Sequence, residues 1–120
     1  MKFEYYNPGE VVCTVRSISK LLNKDYRIVE KELLELAKSL GYDSYNEIEV
    51  FEKYLYENGF VDTKKEYKER IKELSFDGEN EVFCYDKKDF YHLVAIIDNV
   101  MYDKDEKNKE LFVIKIYKKR

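Results

Sequence analysis

The apolar positions in the first half of the chain repeat every three to four residues, which is the spacing of an amphipathic helix. This pattern predicts a short helix over residues 14–23 and a longer helix from Asp25 to Leu40. Asp25 is a suitable N-cap for the longer helix, since its carboxylate can accept from unpaired backbone N–H groups. Gly41 follows the last apolar position and is expected to end the helix.

Two further segments begin with the spacing of a capping box, in which a hydroxyl residue precedes a glutamate by three positions. Ser44 and Glu47 predict a third helix that ends before Gly59. The same spacing recurs at Thr63 and predicts a fourth helix over residues 63–74. Lysine and glutamate alternate along that segment, which indicates a solvated helix face rather than a nucleic-acid-binding patch.

The last third of the chain changes to runs of β-branched and aromatic residues, which favour strands. Asp98 and Asn99 separate two of these runs, and both residue types tolerate the positive φ of a two-residue hairpin turn. Helices followed by antiparallel strands are typical of the α+β class. The predicted strands cover residues 81–85, 91–97, 100–102 and 111–117.

The length of 120 residues and the apolar content of 44% predict one domain, 1–120, rather than a linker or a disordered chain. Its helical part is expected over about 13–75 and its sheet over about 80–118. The net charge of −3 argues against nucleic acid as a partner. No apolar run approaches the ~18 residues of a membrane span, and the N-terminus lacks the apolar core of a secretion signal. We therefore expect a cytoplasmic protein.

The residue content gives little support to a metal site or a bound cofactor. One histidine and two distant cysteines do not supply the usual ligand set of a zinc site. The glycine-rich sequences that hold phosphates or dinucleotides are missing. Without a secretion signal, Cys13 and Cys84 are expected to be free thiols. No metal and no cofactor are expected, and Cys84 is interpreted as an ordinary strand residue.

His92 is the single histidine, and the hairpin places it near carboxylates. With the turn at residues 98–99, His92 lies opposite Asp105 and diagonal to Asp103, and all three side chains share one face of the sheet. A carboxylate that binds one ring nitrogen fixes the tautomer and makes the other nitrogen a better base. The spacing alone leaves open which aspartate is the partner.

Cys13 immediately precedes the first predicted helix. The unpaired N–H groups and the positive end of the helix dipole favour the thiolate at such a position. A cysteine at a helix start, a histidine on a later strand and an aspartate on the next strand are the arrangement of a nucleophilic Cys-His-Asp site. Taken alone, a cysteine at a helix start is more often a small buried residue.

Several stretches resemble small papain-like cysteine peptidase domains of bacteria and their phages. The first runs from the cysteine through the start of the helix, the second ends the third helix, and the last is the histidine strand with its hairpin partner. They occur in the same order as in that family and cover most of the chain, with the weakest match over residues 61–90. The similar stretches are residues 13–20, 23–26, 51–55, 58–60 and 92–103.

The resemblance implies a papain-like fold, with N-terminal helices packed on a small C-terminal antiparallel sheet and a groove between them. It implies Cys13 as the nucleophile, His92 as general base and then acid, and Asp103 as the residue that orients His92. It also implies a side-chain amide upstream of the cysteine that completes the oxyanion hole, and Asn7 is the only such amide there. The expected activity is hydrolysis of a peptide, isopeptide or other amide bond through an acyl-enzyme.

The chain departs from the family pattern beside both reactive residues. Val11 and Val12 precede the cysteine where relatives often carry a polar residue, and they are able to bury the thiol. Tyr91 precedes the histidine where relatives usually carry a small residue, and the tryptophan that often follows the acid is absent. These departures favour an alternative of another class, a non-catalytic interaction or inhibitor protein from a phage or mobile element. Both readings imply a protein or peptide as substrate or partner.

Overall fold

The chain forms three helices and a six-stranded mixed sheet, an α+β architecture, in a computed structural model that describes residues 1–120. The order of strands across the sheet is β1-β5-β4-β3-β6-β2. The helices are α1 (Cys13–Leu22), α2 (Tyr26–Ser39) and α3 (Ile48–Glu57). The strands are β1 (Lys2–Tyr5), β2 (Phe60–Asp62), β3 (Glu79–Tyr85), β4 (Tyr91–Ile97), β5 (Val100–Asp103) and β6 (Phe112–Lys119).

The first three predicted helices are confirmed, with small differences at their ends. Asp25 caps α2, because its carboxylate accepts from the Arg27 N–H at 2.8 Å. The capping box expected before α3 does not form. Glu47 is the N-cap instead, and the Ser44 hydroxyl accepts from the Asn46 N–H at 3.0 Å within the preceding turn. This turn fixes the position of the loop that leads into α3.

The hairpin between β4 and β5 is confirmed in its register. Ile97 lies opposite Val100, and Asp98 and Asn99 form the turn with φ values of 49° and 64°. Positive φ at both positions matches the twist of the strands that the turn joins. The Asn99 side chain also accepts from the Phe76 N–H at 3.1 Å, so the turn is tied to a neighbouring loop.

The sheet is mixed rather than antiparallel, because β1 pairs in parallel with β5. Sequence patterning missed β1, since its four residues are mostly exposed and show no apolar alternation. The Tyr6 N–H continues this pairing by donating to the carbonyl oxygen of Asp103 at 2.9 Å. The chain that leads into α1 therefore starts beside the end of β5.

The fourth predicted helix, over residues 63–74, is wrong. This segment runs mostly without regular structure along the edge of β6, and it contains only a short 3-10 helix, Ile71–Glu73. The Ile71 N–H donates to the Leu111 carbonyl, and the Val113 N–H donates to the Glu69 carbonyl, each at 2.9 Å. These bonds pair backbone N–H and C=O groups at the edge of β6, which would stay unpaired if the segment were a helix. Burial of Ile71 against the sheet outweighs the local helix preference.

Apolar residues cover both faces of the sheet. One cluster joins the three helices to Leu93 and Ala95 of β4, and Val15 and Ile18 of α1 are fully buried in it. The other cluster lies on the opposite face, where Ile96 and Met101 pack under Ile71. Because α1 packs on β4, its first turn is held beside the strand that carries His92. None of the helices is long and apolar enough to cross a bilayer.

Candidate active site

Cys13 is the first residue of α1 and is partly exposed. The preceding residue, Val12, is the N-cap and supplies no side-chain hydrogen bond, so the first-turn N–H groups stay open. The thiol lies in a cavity of about 270 Å³ that His92 also lines. Val12 is 43% exposed, whereas Val11 packs with Cys13 against the core, and Cys13 is only partly buried.

His92 lies in β4 with only 6% of its surface exposed. Its Nε2 atom is 2.6 Å from Oδ2 of Asp103. The ring stacks on Phe90, with centroids 5.6 Å apart and planes inclined by 20°. Because the aspartate occupies Nε2, Nδ1 is the ring nitrogen left to interact with the Cys13 thiol, which lines the same cavity.

Four groups surround the side-chain carboxylate of Asp103. Its Oδ2 atom accepts from the His92 ring and from the Asn108 side-chain amide at 2.8 Å. Its Oδ1 atom accepts from the Lys104 N–H at 2.7 Å and lies 3.6 Å from Nη1 of Arg16. A carboxylate with these partners has a fixed orientation and holds the imidazole in place.

Asp105 does not face His92. The strand β5 ends at Asp103, so the register that would place Asp105 opposite the ring is not continued. The Asp105 carboxylate instead accepts from the Lys107 N–H at 2.9 Å and caps the short 3-10 helix Glu106–Glu110. Of the two aspartates that the spacing left open, the structure brings Asp103 to the imidazole.

Sequence reasoning missed two residues that support the aspartate. Arg16 lies one helical turn after Cys13, and that spacing could have placed it near the same site. Its Nη2 atom also donates to the carbonyl of Val11 at 3.0 Å, which ties the loop before α1 to the site. Asn108 carries no comparable signal, because it reaches Asp103 only through the fold of the loop after β5.

The electrostatics of the three groups favour a thiolate beside an imidazolium. Burial raises the pKa of the Cys13 thiol, but the hydrogen bond and positive charge of His92 outweigh it and leave that pKa lowered. Burial lowers the pKa of His92, but the hydrogen bond with Asp103 and the contact with Cys13 raise it to about 9. Burial likewise opposes ionisation of Asp103, and bonding to His92 holds the pKa of that carboxyl below its usual value.

Three aromatic rings line the cavity beside the thiol: Phe51, Phe83 and Tyr91. Phe51 and Phe83 meet edge to face, with centroids 5.5 Å apart. Phe83 also stacks on Tyr91 at 5.8 Å. Tyr91 is 54% exposed and forms one wall of the cavity without closing it. The aromatic rings offer an apolar surface next to the Cys13 thiol.

Of the two candidate side-chain amides, Asn46 lines this cavity and Asn7 does not. Asn46 lines it, and the Thr14 hydroxyl donates to the Asn46 Oδ1 atom at 2.7 Å. The Nδ2 group of Asn46 makes no hydrogen bond within the protein and remains available as a donor. Asn7, the amide that the sequence analysis selected, does not line the cavity, and its Oδ1 atom is buried without a partner. The assignment of Asn7 to the oxyanion hole stays a prediction.

Glu81 of β3 is a buried acid near the reactive groups. It is fully buried, and the Ser17 hydroxyl of α1 bonds its Oε2 atom. Its Oε1 atom has no partner. Burial raises the pKa of this carboxyl well above its usual value, with the charges of Cys13 and Asp103 adding to the effect and Ser17 and His92 opposing it. Burial therefore favours the protonated form of Glu81.

No group of three histidine, cysteine, aspartate or glutamate side chains is placed to hold a metal ion. No protein-family model matches the chain, and neither a curated protein nor a solved structure shows significant similarity to it.

Proposed function

We propose that this protein is a thiol-dependent hydrolase of papain-like architecture, which cleaves a peptide, isopeptide or other amide bond through an acyl-enzyme. The observation that carries this proposal is that the Cys13 thiol and the His92 imidazole line one cavity, with Nε2 of the ring held by Asp103 at 2.6 Å. A nucleophile, a base and an orienting group in series are what amide hydrolysis by a thiol requires.

The first step forms the acyl-enzyme. The Cys13 thiolate adds to the amide carbon, and the C=O π electrons move onto the oxygen. The Cys13 backbone N–H and the free amide group of Asn46 are the donors that we assign to this oxyanion, with Asn7 as the competing amide. The oxyanion then collapses, the C–N bond breaks, and Nδ1 of His92 gives its proton to the leaving amine.

The second step restores the enzyme. Neutral His92 takes a proton from water, and the resulting hydroxide adds to the thioester carbon. The C–S bond breaks, the acid product leaves, and the thiolate and imidazolium are formed again. Asp103 keeps the ring in one orientation throughout and stabilises its positive charge.

A peptidyl vinyl sulfone with an aromatic side chain next to the electrophile tests the proposal. At pH 6 we expect a single adduct on Cys13, formed about 10²-fold faster than on glutathione, because the thiolate and the imidazolium proton donor are both in place. Mass spectrometry of the digested adduct identifies the labelled cysteine. Cys84→Ser serves as the matched control and keeps the rate, whereas His92→Ala loses it. A labelling rate equal to that of glutathione would instead support the non-catalytic interaction protein.

A further inference from the structure

The largest cavity of the molecule is a basic groove of about 610 Å³ on the β6 side of the site. Five lysines line it, namely Lys64, Lys65, Lys68, Lys87 and Lys115, against only two acidic residues. This local excess of positive charge contrasts with the net charge of −3 for the whole chain. A concave surface with one sign of charge concentrates ligands of the opposite sign.

The groove exists because residues 63–70 are not helical. Lys64 has a φ of 58°, and its backbone turns so that the loop over 64–68 stands beside the exposed edge of β6. This loop brings three lysines to a surface that already carries Lys87 and Lys115. On a helix, Lys65 would have had Glu69 as a neighbour one turn away, whereas the loop leaves its ammonium group without an acidic partner.

Most of the positive charge in the groove is uncompensated. Lys115 is paired with Glu52 at 3.2 Å and with Asp62 at 3.5 Å. The ammonium groups of the other four lysines make no ion pair within the protein. Four exposed lysines that line one groove without an acidic partner favour an anionic ligand.

The basic groove adjoins the cavity over Cys13. Phe83 lines that cavity and lies directly opposite Lys115 in the pairing of β3 with β6. Tyr85 lines the basic groove, and its ring stacks on Tyr91 of the cavity with centroids 5.6 Å apart. Directly paired residues of neighbouring strands point to the same face of the sheet. One extended chain is therefore able to lie across both sites.

We propose that the basic groove binds an acidic segment of the substrate, so that the substrate is a peptide with an acidic stretch beside the amide that enters the Cys13 cavity. This inference rests on the proposed function for the cleavage step, whereas the binding step stands on the groove alone. Carboxylates of aspartate and glutamate are the natural partners of exposed ammonium groups, and they would add both affinity and a faster encounter.

The aromatic rings of the groove argue for a peptide rather than single-stranded nucleic acid, which needs free ring faces for base stacking. The Phe112 ring is already covered by Lys87 at 4.0 Å and by Arg70 at 4.6 Å. The Tyr67 hydroxyl is hydrogen-bonded to Thr63 at 2.9 Å, which fixes that ring to its own loop.

The test measures binding without turnover, by fluorescence anisotropy on the full chain carrying Cys13→Ala. The probe is a fluorescein-labelled peptide with a phenylalanine followed by four glutamates, compared with the same peptide carrying glutamines. We expect at least about tenfold tighter binding of the glutamate peptide at low salt, with the difference reduced at high salt because exposed charges are screened. Equal binding of the two peptides overturns the proposal.

Two triple variants with the same net charge distinguish the effect of the groove lysines on binding from the effect of the protein's net charge. Lys64→Gln with Lys65→Gln and Lys68→Gln should lose the preference for glutamate. Lys2→Gln with Lys31→Gln and Lys38→Gln, at exposed positions elsewhere, should keep it. Equal losses in both overturn the proposal, as does tighter binding of a labelled oligothymidine than of the glutamate peptide. Thermal unfolding by circular dichroism verifies that both variants are folded.

The outcomes for binding and for catalysis are distinguishable. If Cys13 proves unreactive while the glutamate peptide still binds through the three loop lysines, the groove remains and the proposed hydrolysis fails. If Cys13 reacts with the vinyl sulfone but both peptides bind equally, the hydrolysis remains and the acidic substrate class fails.

Discussion

The two thiols of the chain lie close to the same histidine but in opposite environments. Cys84 is directly paired with His92 across β3 and β4, and its thiol donates to the His92 carbonyl oxygen at 3.4 Å. It is fully buried, and burial raises its pKa well above the ordinary thiol value. Cys13 instead contacts the His92 ring and has a lowered pKa. Burial opposes ionisation of both thiols, and only Cys13 has a nearby imidazolium and a partly exposed position to offset it.

Glu81 extends the comparison to a carboxyl group. Like Cys84, it is buried and has no cation in contact, and its pKa is raised. The imidazole of His92 carries the positive charge that Cys13 uses, because Asp103 holds it protonated to a pH of about 9. The interior of the molecule thus favours neutral groups except where the aspartate and the imidazole meet the first turn of α1.

The largest expected effect is on the rate of hydrolysis and concerns Asn46, whose side-chain amide lines the Cys13 cavity. Asn46→Ala should lower the rate of amide hydrolysis by about 10²–10³-fold, since one donor to the oxyanion is lost. Vinyl sulfone labelling of Cys13, which forms no oxyanion at a carbonyl, should change much less. The ratio of the two rates in wild type and variant is the measurement, made with a fluorogenic peptide amide and with the probe.

Asn7→Ala is the matched control for this variant, because it removes the other amide. If Asn7→Ala lowers hydrolysis and Asn46→Ala does not, the oxyanion hole contains the residue that the sequence analysis chose. In that case the Asn46 amide serves only to hold Thr14 and the loop before α3.

The difference between the hairpin and the segment after β2 explains how far the sequence could predict the structure. The turn at Asp98 and Asn99 is a local signal, and it fixed the register that brings His92 near Asp103. The segment 63–74 also carries a local helix signal, but non-local bonds to the edge of β6 override it. Local sequence preferences could not reveal those bonds, nor the basic groove that depends on them.

The same distinction applies within the candidate site. A helix start and a hairpin register indicated Cys13 and His92, but they left Asp103 and Asp105 open, and only the family resemblance singled out Asp103. Asn46 and Asn108 were not, since each lies in a loop whose path is set by contacts far away in the sequence. The resemblance to papain-like domains supplied no equivalent of either residue.

The smallest expected effect is on the free energy of unfolding and its dependence on pH. The folded protein raises the pKa of Glu81 above its usual value of 4.5, so folding takes up a proton at this group. Its contribution to stability is present in full below pH 4.5 and is lost progressively as the pH rises towards the folded pKa. Glu81→Gln keeps the neutral shape without a titrating proton, so its stability relative to wild type should rise as the pH is raised from 5 to 8.

Urea denaturation of both proteins at pH 5 and pH 8 measures this difference. We expect the advantage of Glu81→Gln to grow with pH, because only the wild type must keep a buried carboxyl protonated. Ser17→Ala is a useful companion, since it removes the hydrogen bond to Glu81 without changing the titrating group. An advantage that is the same at both pH values would contradict the neutral state of Glu81.

The most direct measurement of the central claim is the titration of the Cys13 thiolate by its ultraviolet absorbance in Cys84→Ser protein, with and without His92→Ala. In the presence of His92, we predict a midpoint below the ordinary thiol value of 9.0, because the imidazolium stabilises the thiolate. In His92→Ala, the midpoint should move above that value, since burial then acts without a cation. A midpoint at or above 9.0 in both proteins would contradict the account, because Cys13 would then behave as Cys84 does.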